Sequence, residues 1–187
     1  MGLVAIVTLT LWCLSATASL RAEETVGHLR LVDRLDRPVD GYCLDILGVG
    51  RRLRVDVPIF AHNCKPRLTT DSTIRLQSDG GIAFPAVGLC ITAFGVNGRS
   101  LPGSPIILRP CGDRAAFFEA GPLQGFTLQQ DGRVKLADTN LCLAVGTTST
   151  TTYSAQDAWR TLSVELCNST PSELVRWEFN AGPFPSP

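Results

Sequence analysis

Beyond Cys13, the cysteines of this 187-residue chain fall into three pairs of nearly constant spacing. Cys43 and Cys64 stand 21 residues apart, Cys90 and Cys111 stand 21 apart, and Cys142 and Cys167 stand 25 apart. The pairs begin 47 and then 52 residues after one another, which marks an internal repeat. The first cysteine opens a similar stretch each time: "CLDI" at 43–46, "CITA" at 90–93 and "CLAV" at 142–145. No C-x-x-C pair occurs, so the spacing does not fit a zinc site. Six regularly placed cysteines read as a disulfide framework. Several connectivities are open, and repeat symmetry favours Cys43–Cys64, Cys90–Cys111 and Cys142–Cys167. Each such bridge closes a loop of about two dozen residues, worth roughly 3 kcal/mol in the chain-entropy model.

The N-terminus agrees with an oxidising compartment. The first charged side chain is Arg21, and the apolar opening runs into "SATAS". Residues 1–18 are expected to be a secretory signal, with Ala16 and Ala18 at the small positions of the cleavage site. Cys13 then leaves with the signal. The apolar part is shorter than the ~20 residues that a membrane span needs. The chain is therefore expected to be secreted, with no membrane span after cleavage.

Charge excludes some partners. Lys and Arg together number 17, as do Asp and Glu, for a formal net charge of +0. A nucleic-acid footprint needs a basic excess that is missing. Apolar residues make up 44% of the chain, too many for a disordered protein. The length suits one domain with a real core.

Between the cysteines the segments are short and β-like. "HLRLV", "CLDIL", "VPIFAH" and "IRLQS" fall in the first unit, "GIAFP", "CITAF", "PIILR" and "FTLQQ" in the second, and "RVKLA", "CLAVG", "LSVEL" and "RWEF" in the third. "SDGGI" and "QDGRV" read as turns, and Gly41, Gly88 or Asn140 stands two residues before each opening cysteine. These residue types tolerate positive φ, so a turn is expected at each. Three units of four strands predict an all-β, closed and pseudo-symmetric barrel.

Each unit resembles the ricin B-type lectin repeat: C-L-D-[VI], a variable loop, an apolar strand ending in cysteine, then Q-x-W. That last element survives in pieces, as "STI" at 72–74, "QGF" at 124–126 and "VRW" at 175–177. The resemblance runs from about Gly27 to Phe179. It implies a β-trefoil over 27–180 with one disulfide per repeat. The repeats would span about 29–80, 81–131 and 132–180, before a Pro-rich tail at 181–187.

The resemblance also implies a non-enzymatic binder of galactose-like sugars. In this family the aspartate after C-L accepts bonds from two sugar hydroxyls. An aromatic residue two before the second cysteine stacks on the sugar, and a polar residue seven after it adds a hydrogen bond. A carboxylate takes two donors, and a ring covers the apolar C–H patch of a sugar. Unit one supplies Asp45, His62 and Asp71, with Phe60 where a polar residue is often found. Unit two has Thr92 and Arg109, and unit three has Ala144 and Glu165, so both are expected to be structural.

Other features read more simply. Arg51, Arg52 and Arg54 are expected on a solvated hairpin loop. The Thr/Ser-rich stretch 146–154 lengthens the third interval, and Asn168 opens a glycosylation sequon. Trp159 and Tyr153 fall in the variable loop of the third unit, either as exposed contacts or, the favoured place for Trp159, with its indole covering the bottom of the barrel. With only His28 and His62, and no nucleophile, zinc-protease or phosphate-loop motif, the chain does not read as an enzyme. No cofactor or metal is called for. Glycans or glycoproteins are the expected partners. The competing reading is a trefoil without sugar binding, acting as a protease inhibitor or interaction module through the Arg-rich loop.

Overall fold

The computed structural model describes residues 25–78, 80–115, 119–152 and 154–183. The expected signal segment with Cys13, Tyr153, and the tail from residue 184 lie outside them. Among the described residues, twelve strands of three or more residues follow one another: β1 (Val26–Leu31), β2 (Tyr42–Asp45), β3 (Phe60–Asn63), β4 (Ile74–Leu76), β5 (Ile82–Phe84), β6 (Leu89–Ala93), β7 (Ser104–Pro110), β8 (Phe126–Leu128), β9 (Val134–Leu136), β10 (Leu141–Val145), β11 (Ala158–Leu166) and β12 (Trp177–Ala181). Each predicted strand segment overlaps one of them. Two-residue strands at Gly95–Val96, Arg99–Ser100 and Thr150–Thr151, and short helices α1 (Ala120–Gln124) and α2 (Ser172–Val175), complete the fold.

Six strands close a ring. β1 pairs with β12 on one side and β4 on the other, β4 pairs with β5, and β8 pairs with β9. The remaining joints are a hydrogen bond from Gly81 N to Phe126 O and a bridge between Arg133 and Arg176. The other six strands form three hairpins, β2–β3, β6–β7 and β10–β11. β11 joins β3 and β7, and Ile59 N donates to Ile106 O to link the remaining pair. Closure leaves few strand edges open to another chain.

The fragments of the Q-x-W element explain their own placement. Their last residues, Ile74, Phe126 and Trp177, are fully buried and enter the core with Leu29, Phe84 and Leu143. Trp177 Nε1 donates to Leu143 O at 3.0 Å, so the indole packs without stranding its N–H. Burying one such side chain contributes about 1.5–3 kcal/mol.

Three disulfides join Cys43–Cys64, Cys90–Cys111 and Cys142–Cys167, the expected pairs. Each lies at the open end of its hairpin. Gly41 and Gly88 take φ of +65° and +66° before the opening cysteines. Asn140 departs from the expectation: the positive φ of the third turn belongs to Asp138, at 56°. There the Thr139 hydroxyl donates to Leu136 O and accepts from Leu141 N, which completes the turn two residues earlier. Arg51 and Arg52 stand exposed on a single 3-10 turn, and Arg54 pairs with Asp56 at 2.8 Å.

Candidate functional site

Hairpin register brings the nominated residues of unit one together. Cys43 lies opposite His62, and Asp45 opposite Phe60. The inward phase belongs to Leu44 and Ala61, both fully buried, so Cys43, Asp45, Phe60 and His62 take the outward face. Asp71 arrives from a turn at Thr69–Thr73. That turn is tied by Thr73 Oγ1 donating to Thr69 O at 2.7 Å, and to β2 by Ile46 N donating to Asp71 O at 2.9 Å. His28 on β1 braces it through Ser72 Oγ at 3.2 Å.

A residue the sequence reading passed over sits at the centre. Lys65 Nζ donates to Asp45 Oδ2 at 2.7 Å and to Asp71 Oδ2. His62 Nδ1 lies 4.0 Å from Asp45 Oδ2. The side chains of Asp45 and Asp71 are 3% and 4% exposed, against 15% for His62 and 27% for Lys65. Two carboxylates therefore lie beneath one ammonium, which is the most accessible of the four groups. The available signal was simple. Two acids brought together in a folded unit need a cation, and Lys65 follows Cys64 directly and is one of two lysines in the chain.

The electrostatics follow from that burial. Burial pushes the Asp45 carboxyl up to about 8, against the opposing pull of the Lys65 ammonium. Burial works against the Lys65 charge, but Asp45 and Asp71 outweigh it and raise its pKa. Burial, reinforced by Lys65, lowers the pKa of both His62 and His28, so both rings are neutral at pH 7. Asp71 Oδ1 and His62 Nδ1 are buried without a hydrogen-bond partner among the described residues.

The corresponding positions of the other hairpins are filled differently. Thr92 accepts from Gln124 Nε2 at 3.0 Å, and the same amide bonds Pro110 O and Gly112 N. Arg109, opposite Cys90, pairs with Asp113. In the third hairpin Ala144 is buried and Glu165 lies opposite Cys142, accepting from Ser163 Oγ. Neither combines a carboxylate at the aspartate position with a ring opposite its cysteine.

Trp159 departs from its expected place. β11 alternates inward Ala158, Arg160, Leu162 and Val164 with outward Trp159, Thr161 and Ser163. The indole is half-buried on the outer face and packs edge-on against Phe60 at 5.9 Å. A concavity of about 610 Å³ beside the Cys142–Cys167 bridge is lined by Lys135, Asn140 and Asn168 among others. It contains none of Asp45, His62 and Asp71. Asn168 is exposed in the turn after Cys167.

No helix among the described residues is long and apolar enough to cross a membrane. No protein-family model matches the chain, and no curated protein matches it in sequence. Among solved structures it is similar to the agglutinin from Abrus precatorius, at 20% identity and a TM-score of 0.56, over 84% of this chain and 48% of that one. It is also similar to the mdaA-1 domain in solution, at 14% identity and a TM-score of 0.57, over 84% of this chain and 90% of that one. The chain thus spans about half the length of the agglutinin. These likenesses show that the chain has a ricin-B-like fold.

Proposed function

We propose that this is a secreted, non-enzymatic carbohydrate-binding protein of the ricin-lectin type, a β-trefoil of three repeats with one sugar position. The observation that carries the reading is the polar cluster of the first hairpin. Asp45, Asp71 and Lys65 meet there beside His62, and a buried acceptor, Asp71 Oδ1, and a buried ring nitrogen, His62 Nδ1, lack partners among the described residues. A buried acceptor without a donor costs free energy, which a sugar hydroxyl would recover. The corresponding positions of the other hairpins carry a satisfied Thr92 and an apolar Ala144.

On this reading Asp45 and Asp71 accept hydroxyl hydrogens of a galactose-like sugar, and His62 lies along its C–H face. Lys65 yields part of its hold on the carboxylates as the sugar enters. The exposed Asn168 supports a role as glycan acceptor. Three disulfides support an extracellular setting.

The test is Asp45→Asn, which keeps size but replaces one carboxylate oxygen with a donor. Above about pH 8, where the Asp45 carboxyl is ionised, affinity for galactose should fall by about 1.5–3 kcal/mol, the range for a hydrogen bond to a charged group. Retention on galactose resin should disappear while the protein stays folded. Unchanged retention would remove Asp45 as a ligand. The second reading, an interaction module or protease inhibitor, draws on the deep burial of Asp45 and the exposed Arg51 and Arg52. Protease inhibition together with a blank glycan array would favour it.

A further inference from the structure

A cavity of about 400 Å³ opens on the outward side of the hairpin junction, and its lining is almost wholly apolar. Phe60, Trp159 and Leu47 contribute walls, and Thr152 and Thr161 are its only hydroxyl-bearing lining residues among the described residues. Leu47 remains 39% exposed.

The polar cluster does not line this cavity but adjoins its Phe60 and Trp159 walls. From Asp45 Oδ2 it is 4.0 Å to His62 Nδ1. The His62 ring meets Phe60 edge-on at 6.0 Å, and Phe60 meets Trp159 edge-on at 5.9 Å. Strand register sets these groups side by side: Phe60 is paired with Asp45, and Trp159 with His62. Carboxylate, imidazole, phenyl and indole therefore form one patch on the outward face. A sugar ring alone gains little in the cavity, because its hydroxyls would lose water and find, among the described residues, two threonines in return. An apolar group gains there by leaving water. The volume falls within the range of small-molecule pockets, about 300–1,000 Å³.

We propose that the cavity is an aglycone subsite: the protein takes a glycoside whose sugar lies at Asp45 and whose apolar aglycone lies between Phe60, Trp159 and Leu47. The inference rests on the carbohydrate-binding reading above. An aryl glycoside and the sugar–lipid junction of a glycolipid share this chemistry, an apolar group on the anomeric oxygen.

Calorimetry with methyl, 4-nitrophenyl and octyl β-galactoside tests it on the intact protein. One of the two apolar glycosides should bind about tenfold tighter than the methyl glycoside, as burial of several carbon atoms requires. A preference for octyl would indicate a lipid source, and one for nitrophenyl an aryl source. Trp159→Ala removes a wall, and Thr152→Phe fills the cavity. Both should bring the apolar glycosides down to the methyl value. Because one variant empties and the other fills, their agreement does not arise from a shared packing defect, and melting curves check the fold of each. Equal binding of all three probes to the natural protein would overturn the subsite and leave the sugar reading standing. Binding of the octyl and nitrophenyl probes that is unchanged in Asp45→Asn would overturn both, leaving an apolar pocket indifferent to sugar. No binding of any probe would likewise overturn both.

Discussion

Lys65 sets the electrostatics of the first hairpin, because two nearly buried carboxylates share its ammonium. Removing one partner of a buried ionic cluster costs more than the cluster contributes, since the remaining charges keep their desolvation penalty. Lys65→Met should therefore destabilise the protein by about 3 kcal/mol near neutral pH. The pH dependence has a definite sign. In the folded protein the Asp45 carboxyl titrates at about 8, above the ordinary 3.8. A raised acid binds its proton more tightly when folded, so its contribution is fully present below the ordinary carboxylate value. It is lost as pH rises through about 8. The melting temperature should decline across that window in the natural protein. In Lys65→Met the decline should be steeper, and acidification to about pH 4 should restore most of the lost stability. A pH-independent deficit in thermal melts would mean that Lys65 contributes packing and not charge.

The hairpin is the element that converts cysteine spacing into geometry. In all three, the residue two before the second cysteine lies opposite the first: His62, Arg109 and Glu165. The joining of Asp45 with His62 in one site was what the family resemblance implied, whereas the disulfide pairs and the strand segments were legible from spacing and alternation. Lys65 was not, because its placement depends on a loop fold that no periodicity encodes. Trp159 was misplaced for a different reason. β11 begins at Ala158, four residues before the predicted strand, and the alternation of Leu162 and Val164 carried back over that extension puts Trp159 outside. The ring strands are held by closer tolerances than patterning reveals. A Cβ on Gly27 would lie 2.1 Å from Asn180 O, across the β1–β12 pairing that helps close the barrel. Gly27→Ala should force the two strands apart and cost about 1–3 kcal/mol, the usual range for overpacking. Urea unfolding measures this, and an unchanged midpoint would show that the strands separate freely there.

At the scale of the whole molecule, one architecture carries three hairpins of unequal chemistry. The first holds a polar cluster with unpartnered Asp71 Oδ1 and His62 Nδ1 among the described residues; the second is closed by the Gln124 amide, which spends its bonds on Thr92, Pro110 and Gly112; the third has an apolar, buried Ala144. A sugar entering the second position would have to break bonds already made, and in the third it would meet no carboxylate. On the proposed reading the chain is therefore monovalent. A single shallow site binds a monosaccharide near the millimolar range, about −4 kcal/mol. Strong attachment then depends on several chains meeting a clustered glycan surface, where linked sites gain through effective concentration. Calorimetry with a galactoside should give one site per chain. Dilute protein should fail to cross-link galactose-coated beads, while artificial dimers, tethered through a flexible linker, should cross-link them. Two or more equivalent sites per chain, or cross-linking by a protein shown to be monomeric, would mean that Gln124 or the third hairpin yields to sugar and that the inequality of the three positions has been misjudged.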